Sequence, residues 1–485
     1  MIRGRRYVYG IPVSSPPVLA PTTMQSSVSQ YGITWTFDQP YPVGQFVNGD
    51  YFVVGPVTIT EIDPPWGPDQ WGYMRNGTMI NDSGGDGRHG LDEYLATNNT
   101  LGYGEDINIE AAANGGLPKT VAVNNSVISA IGRNSETGEG DLRPRLQSMA
   151  VLTVLSAAPY ADAFRPSYVG TDKTIYRWSQ VQDNLWRLPN LTPVADTPSV
   201  DSYIADLTRP WWWPLNGPAA SWLCAVDNMP HHYHRNIGRF LMQASVLLMM
   251  DVADRDDLLK HYVQLGIDQY ATTVTQVGSS SQWQWPLIFT GIMLGDDDIR
   301  DTFATGSYYS SGHARSMNQL YRIPEDVNSN VESSIVPGGS GMRTWTGSTA
   351  AWRQQTHNSN CYEQEHLHPS EWAEVTSAEG CSQNLSTRET YRRINSPVYP
   401  GFGVAAAVMN AKDRFYRSDL YFDYAERWME ETLYTEPYDA FDAYGEAGGL
   451  PYEERGVYPL GTGGGEYGST TSTFVNNFWD AYYEP

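Results

Sequence analysis

The hydrophobic period of the chain changes near residue 170, and this change limits the folds that the chain can adopt. Before it, segments such as 51–62 and 148–157 are rich in β-branched and aromatic residues and alternate in part. After it, apolar residues recur at spacings of three and four, as in 237–252. We therefore predict strands first and then helices joined in pairs, an α/α arrangement without a parallel sheet.

The same change divides the chain into four regions. Residues 1–28 show no period and are expected to form an extended N-terminal arm. A β-rich, sandwich-like module is predicted for 29–165 and a helical domain for 166–433. Residues 434–485 are rich in Gly and aromatic side chains and are expected to form a tail that packs on the body. Within the β-rich module, the loop 64–110 is long and rich in Gly and Asn, so we expect it to lie over another part of the protein.

The charge balance limits the partners. The 485 residues include 55 Asp and Glu but only 31 Lys and Arg, a formal charge of −24. Such a surface repels nucleic acid and anionic membranes, so neither is an expected partner. If the substrate is anionic, the arginines must be concentrated where it binds. An acidic surface also suits a salty habitat, which weakly favours a marine source.

Aromatic and cysteine contents narrow the class of protein further. The 32 Tyr and 16 Trp suit stacking on sugar rings, although core packing accounts for most residues of these types. Three cysteines exclude a disulfide-dense scaffold and a four-cysteine zinc site. The longest apolar run, 240–250, is too short to span a bilayer and is interpreted as a buried helix.

The stretch NMPHHYHRNIGR, 228–239, is the densest cluster of chemically active side chains. It follows Pro230 into the 237–252 helix, where backbone N–H groups and the helix dipole favour a bound carboxylate. A metal site, a proton relay, a grip on an anion and a polar helix start are all open interpretations. The side chains in question are Asn228, His231, His232, Tyr233, His234, Arg235 and Arg239.

A second cluster, 357–372, combines histidines with acidic side chains. Glu365, His366 and His368 can supply three ligands to a metal from an extended segment, and a hydrogen-bonded loop is the alternative. The cluster also contains His357, Tyr362, Glu371 and Trp372.

Two further groups suit an acidic sugar. Trp283 and Trp285 lie on a loop that enters a helix and can form an aromatic platform, with core packing as the equal alternative. Arg392, beside Tyr391 and Arg393, and Arg343 are candidate carboxylate binders through bidentate hydrogen bonds. No P-loop, dinucleotide-binding glycine pattern, His-Glu-x-x-His motif or Gly-x-Ser-x-Gly elbow is present, which argues against nucleotide and common hydrolase chemistry.

Eight segments resemble bacterial polysaccharide lyases of the alginate and glucuronan lyase type. They are GITWTFDQPYPVGQF, SMAVLTVLSAAP, NMPHHYHRNIGR, LLKHYVQLGIDQY, WPLIFTGIMLGD, EHLHPSEW, YRRINS and YFDYAERWM. The resemblance implies a mixed but mainly α fold, in which an (α/α) toroid or incomplete barrel covers 166–433 and carries the N-terminal all-β module. One departure stands out, because a basic stretch expected before WPLIF is replaced by GSSSQWQ at 278–284.

The resemblance also implies a reaction, β-elimination in a uronic-acid-containing polysaccharide. This reaction needs a group that neutralises the uronate carboxylate, a base for the C5 proton and an acid for the leaving oxygen. We assign Tyr233 as acid/base and His232 or His234 as its partner. Asn228, Arg235 and His366 are placed around the carboxylate. Further substrate contacts are predicted at His231, Arg239, Trp283, Trp285, Arg343, Tyr362, Glu365, His368 and Arg392.

Two alternatives remain open from sequence. A glycoside hydrolase needs two carboxylates across a cleft, for which Glu365 and Glu371 are available. A non-catalytic sugar-binding or surface-assembly protein would use the aromatic loops alone. No cofactor is expected, with a divalent metal held by Glu365, His366 and His368 as the exception. An anionic polysaccharide is the expected partner, and a secreted or periplasmic location is expected even though no apolar export signal follows the basic N-terminus.

Overall fold

The computed structural model describes most of the first 304 residues and shorter parts of the remainder. The described residues are 18–82, 88–93, 102–132, 145–212, 225–226, 234–276, 283–304, 398–415, 418, 421–422, 425–426, 429 and 472–484.

Thirteen strands lie in the described part of the chain before the long helices. They are β1 (Thr23–Gln30), β2 (Ile33–Gln45), β3 (Tyr51–Val54), β4 (Val57–Asp63), β5 (Gly67–Pro68), β6 (Met74–Arg75), β7 (Thr78–Ile80), β8 (Arg88–His89), β9 (Gly102–Tyr103), β10 (Lys119–Val121), β11 (Asn125–Gly132), β12 (Arg145–Leu155) and β13 (Ala225–Val226).

Nine of these strands form one sheet, and β2 is the strand at which it folds over. The strand order is β10-β4-β2-β3-β12-β11-β7, with β1 paired to β2 and β13 paired to β12. The first part of β2 pairs with β4, and its last residues, Val43–Gln45, pair with β3. The indole N–H of Trp35, in the first part, donates to Ser129 Oγ of β11 at 2.8 Å. The two halves of the sheet therefore face each other across a core.

The β11–β12 pair is the middle layer and is buried on both faces. Val127 and Leu152 face the core between the two halves of the sheet. Ile128 and Val151, one residue along in each strand, face a second core that contains the long helices. Because successive side chains of a strand point to opposite faces, both faces need apolar residues. This explains the almost uninterrupted apolar run MAVLTVL in β12.

Eight α-helices lie within the described residues. They are α1 (Trp178–Asn184), α2 (Asp201–Leu207), α3 (His234–Leu248), α4 (Arg255–Gln276), α5 (Gln284–Leu294), α6 (Asp297–Arg300), α7 (Tyr399–Val408) and α8 (Thr473–Tyr482). None of them combines the length and the apolar character needed to cross a membrane.

The ends of the helices follow local signals. Gly295 ends α5 in the left-handed conformation, with φ of 67°, which a glycine adopts without steric cost. The Asp296 side chain accepts the backbone N–H of Ile299 and so begins α6. Ser472 caps α8 in the same way, by accepting from Val475 N.

The prediction of a mainly α fold, an (α/α) toroid carrying a β module, is wrong. The largest element is the nine-stranded sheet, and helix makes up only about 37% of the chain. The architecture is α+β, with helices packed on one face of a folded sheet. The prediction failed because the large sheet depends on pairing between distant segments, such as β3 with β12, which a local hydrophobic period does not show.

Buried ionic contacts fasten the helices to the sheet. Arg165, whose side chain is 1% exposed, donates through Nε to Asp50, which precedes β3, and through both Nη atoms to Asp268 of α4. Tyr168 lies under the guanidinium at 5.5 Å, and Gln264 donates to the carbonyl of Arg165 at 3.0 Å. Residues on both sides of the predicted boundary at 165 thus contribute to one core and one ion-pair network.

Candidate functional site

Most of the side chains that the sequence nominates lie outside the described residues. His234 and Arg235 begin α3, where the backbone alone is described. Those outside the description are Asn228, His231, His232, Tyr233, Arg343, His357, Tyr362, Glu365, His366, His368, Glu371, Trp372, Tyr391, Arg392 and Arg393. Their proposed roles stay predictions.

The structure describes three of the side chains predicted to form a site, and they lie near the N-terminal ends of two helices. Arg239 is half-buried in α3. Trp283 and Trp285 are both 0% exposed, and the ring of Trp285 stacks on Phe415 at 6.0 Å. These two indoles present no face to solvent, so the core-packing interpretation accounts for them better than a sugar platform.

The indole of Trp211 joins the starts of α3 and α5. Its ring centroid lies 5.7 Å from that of Phe240, in the second turn of α3, and 6.4 Å from that of Trp283, the N-cap of α5. The N-terminal parts of both helices therefore lie against one side chain. Because the N-terminal end of a helix carries partial positive charge, this region favours an anionic group.

Unpaired polar atoms mark the same region. Gln284, the first residue of α5, is 1% exposed, and in the described part of the chain neither its amide oxygen nor its amide nitrogen has a hydrogen-bond partner. The indole nitrogen of Trp285 is also buried and has no hydrogen-bond partner among the residues that the structure describes. A buried amide without a partner costs free energy, so such a group is a natural contact for a bound polar molecule. Gln284 is not among the site residues predicted from sequence.

His89 lies against Trp212, the neighbour of Trp211 in sequence, with the two ring centroids 5.0 Å apart. Its Nδ1 accepts the backbone N–H of Leu91 at 3.3 Å, so the proton of the neutral ring is on Nε2. Complete burial lowers the pKa of His89 to about 3. Among the described residues Nε2 has no partner. A neutral buried imidazole of this kind is a hydrogen-bond donor and is not a base at neutral pH.

A separate open pocket of about 520 Å³ lies beside the β5–β6 hairpin. We call it the hairpin pocket, and its wall includes Pro65, Trp66, Asp69, Trp71, Arg75 and Asn76. The length of the loop 64–110 was apparent from sequence, but none of these residues was predicted to belong to a site. The two closely spaced tryptophans in PPWGPDQWGYMRN, 64–76, are the sequence feature that could have indicated this pocket.

Trp66 is held in the wall of the hairpin pocket at two points. Its indole N–H donates to Tyr103 OH at 2.9 Å, and its backbone N–H donates to Glu110 Oε1 at 3.1 Å. Burial raises the pKa of Glu110 to about 7, since the hydrogen bond from Trp66 offsets only part of the desolvation. Within the described residues, Glu110 Oε2 has no hydrogen-bond partner.

The charged groups of the hairpin pocket are largely compensated. Arg75 pairs with Asp69 (Nε to Oδ2, 3.1 Å) and with Asp92 (Nη1 to Oδ1, 2.7 Å). Asn76 Nδ2 donates to the carbonyl of Pro65 at 3.3 Å, and its Oδ1 accepts from Gly132 N at 2.9 Å. The pocket therefore offers aromatic surface and amide groups without an excess of positive charge.

Comparison with known proteins gives no assignment. No protein-family model, curated protein or solved structure matches the chain. No group of three or more His, Cys, Asp or Glu side chains arranged to hold a metal ion occurs within the described ranges, and the alternative ligands Glu365, His366 and His368 lie outside them. The resemblance to alginate and glucuronan lyases remains a prediction from sequence.

Proposed function

We propose that the chain is a polysaccharide lyase that cleaves a uronic-acid-containing polysaccharide, of the alginate or glucuronan kind, by β-elimination. One observation carries the proposal: the N-terminal parts of α3 and α5 both lie against Trp211. The HHYH stretch, 231–234, leads into α3. That stretch contains the tyrosine and histidines that the reaction needs.

The reaction makes specific demands on this region. A base removes the C5 proton, the C4–C5 double bond forms, the C4–O4 bond breaks, and an acid delivers a proton to O4. Tyr233 serves as acid/base, with His232 or His234 as its partner. The carboxylate at C6 must be neutralised so that charge can develop at C5. Asn228, Arg235 and His366 are the side chains proposed around it.

Two features of the described residues support carboxylate binding. The positive ends of α3 and α5 favour an anion, by about 0.3–1 kcal/mol for an exposed group and more for a buried one. The amide of Gln284 lies at the start of α5 and has no hydrogen-bond partner in the described structure, and at 1% exposure it can donate to a carboxylate oxygen only when the side chains that cover it move aside. Gln284 lies within the stretch 278–284 that departs from the lyases, so an amide stands where basic side chains were expected.

The experiment is incubation of the purified protein with alginate and glucuronan while ultraviolet absorbance and reducing ends are measured together. A lyase gives both signals, because elimination leaves an unsaturated sugar at the new non-reducing end. Tyr233→Phe is expected to abolish both. Tyr160→Phe is the matched control. Tyr160 is 39% exposed and lies outside the 228–239 cluster, so this variant is expected to retain full activity.

Other outcomes separate the alternatives. Reducing ends without absorbance indicate a hydrolase and favour Glu365 and Glu371 as its two catalytic carboxylates. Neither signal with any polyuronate rejects the lyase proposal and favours a non-catalytic protein. Full activity in Tyr233→Phe removes Tyr233 from the mechanism even if the wild-type protein is a lyase.

A further inference from the structure

We propose that the hairpin pocket is a second carbohydrate site, which binds an uncharged saccharide unit. This goes beyond the proposed lyase function, because it requires no catalysis and uses none of the residues assigned to the elimination.

Trp66 and Trp71 give the pocket an aromatic surface. The hydrogen bond from the indole N–H of Trp66 to Tyr103 lies in the plane of the ring, so it leaves the ring faces available for contact. Trp71, at the turn of the hairpin, is 46% exposed. Two tryptophans beside a cavity of about 520 Å³ suit the apolar face of a sugar ring, since small-ligand pockets span roughly 300–1,000 Å³.

The turn that presents Trp71 is organised before any ligand binds. Asp69 Oδ1 accepts the backbone N–H groups of Trp71 at 2.8 Å and of Tyr73 at 3.0 Å, while Oδ2 pairs with Arg75. The backbone of Asp69 also donates to the carbonyl of Tyr73 at 2.8 Å. A preorganised turn loses little conformational entropy on binding, which favours affinity for a small ligand.

The charges point to an uncharged ligand. Arg75 is the cation among the described lining residues, and its charge is opposed by the carboxylates of Asp69 and Asp92. The charges of Asp69 and Arg75 cancel among the described lining residues, and Arg75 is also paired with Asp92, so an anionic sugar would meet no net positive charge there. Hydroxyl groups have suitable partners, because Asn76 uses one amide hydrogen and one oxygen lone pair internally and keeps the others for a ligand.

An extended proline-rich peptide is the competing occupant, since grooves lined by tryptophan also bind polyproline helices. The carboxylate and amide groups of the wall favour a ligand with many hydroxyls over a peptide that offers few donors. The saccharide is therefore the occupant that the lining supports.

The test is isothermal titration calorimetry of the full chain with neutral hexasaccharides of β-1,4-linked glucose, mannose and xylose. At least one is expected to bind with a Kd below roughly 1 mM. Trp71→Ala is expected to weaken this binding by about tenfold or more, as truncation of a central tryptophan does in other interfaces. Trp186→Ala is the matched control, because Trp186 is 75% exposed and does not line the pocket; it is expected to bind as the wild type does.

Three results would overturn the proposal. The first is no binding of any neutral hexasaccharide by the wild type, and the second is equal affinity in the wild type and Trp71→Ala. The third is binding of a decaproline peptide at this pocket without binding of any saccharide. Because the titration does not involve cleavage, its outcome is independent of whether the chain is a lyase.

Discussion

Replacing Glu110 by Gln is expected to stabilise the protein above neutral pH and to have little effect at pH 4.5. Glu110 is largely buried beside the hairpin pocket, where Oε1 accepts the backbone N–H of Trp66 and Oε2 has no partner among the described residues. A glutamine of the same shape keeps an oxygen acceptor toward Trp66. It removes the buried negative charge, which is the source of the effect.

The magnitude follows from the pKa of Glu110, which burial raises from 4.5 to about 7. One pH unit corresponds to 1.36 kcal/mol, so ionisation in the folded chain costs at most about 3 kcal/mol. Because the folded pKa is raised, the stability is fully present below about pH 4.5. It declines as the pH rises, since the unfolded chain releases this proton first, and the loss is complete above about pH 7.

The assay is urea denaturation of the wild type and of Glu110→Gln at pH 4.5, 6 and 8. His89 acts in the opposite sense, because its lowered pKa reduces stability as the pH falls below 6.5. This contribution is common to both proteins and cancels in their difference. The variant is expected to gain about 2–3 kcal/mol over the wild type at pH 8. A difference that is the same at pH 4.5 and at pH 8 would refute a raised pKa for Glu110.

The remaining predictions concern stability and are checked by the same denaturation assay. Arg165→Leu leaves two buried carboxylates without their cation and is expected to lower the free energy of unfolding by about 3–5 kcal/mol; a loss below about 1 kcal/mol would contradict this network as a fastening between sheet and helices. Gly295→Ala places a side chain at φ of 67° and is expected to cost about 1 kcal/mol, whereas Gly67→Ala, which has open space around its Cβ, is expected to be nearly neutral. Trp35→Phe removes the donor to Ser129 and leaves a buried hydroxyl with one partner fewer, at an expected cost of about 1–3 kcal/mol, and an unchanged urea midpoint would show that this contact adds nothing.

Sequence patterns predicted the individual elements better than their assembly. The alternation in 51–62 corresponds to β3 and β4, and the apolar spacing in 237–252 corresponds to α3. Gly295 ends α5, as expected for a glycine that directly follows an apolar helical run. These features depend on interactions within a few residues, so a local pattern contains the information.

The overall class could not be read in the same way. The sequence predicted β12 as a strand, but its apolar run does not show that the strand lies between two cores with both faces buried. One short strand of 64–110, β7, joins the large sheet because it pairs with β11, which lies far along the chain. The resemblance to helical lyases therefore suggested too much helix.

The exposure of individual tryptophans could not be predicted from the sequence. Trp285 was a candidate for a sugar platform and is fully buried, whereas Trp71 was not a candidate and is exposed beside a pocket. Both follow a short polar stretch, Trp71 just before β6 and Trp285 in the first turn of α5, so the sequence context does not separate them. Exposure depends on which other segments pack against the ring, and this is a long-range property.

The sequence by itself determined the positions of several long strands and helices, the net negative charge and the presence of a cluster of His, Tyr and Arg before α3. The tertiary structure decided that one sheet folds around β2, that α3 and α5 start against Trp211, and that residues 65–76 form a pocket with Gly132. The physical reason is the range of the interactions. Hydrophobic period and capping act over a few residues, whereas a core, a pocket or a buried charge is formed by residues brought together from distant parts of the chain.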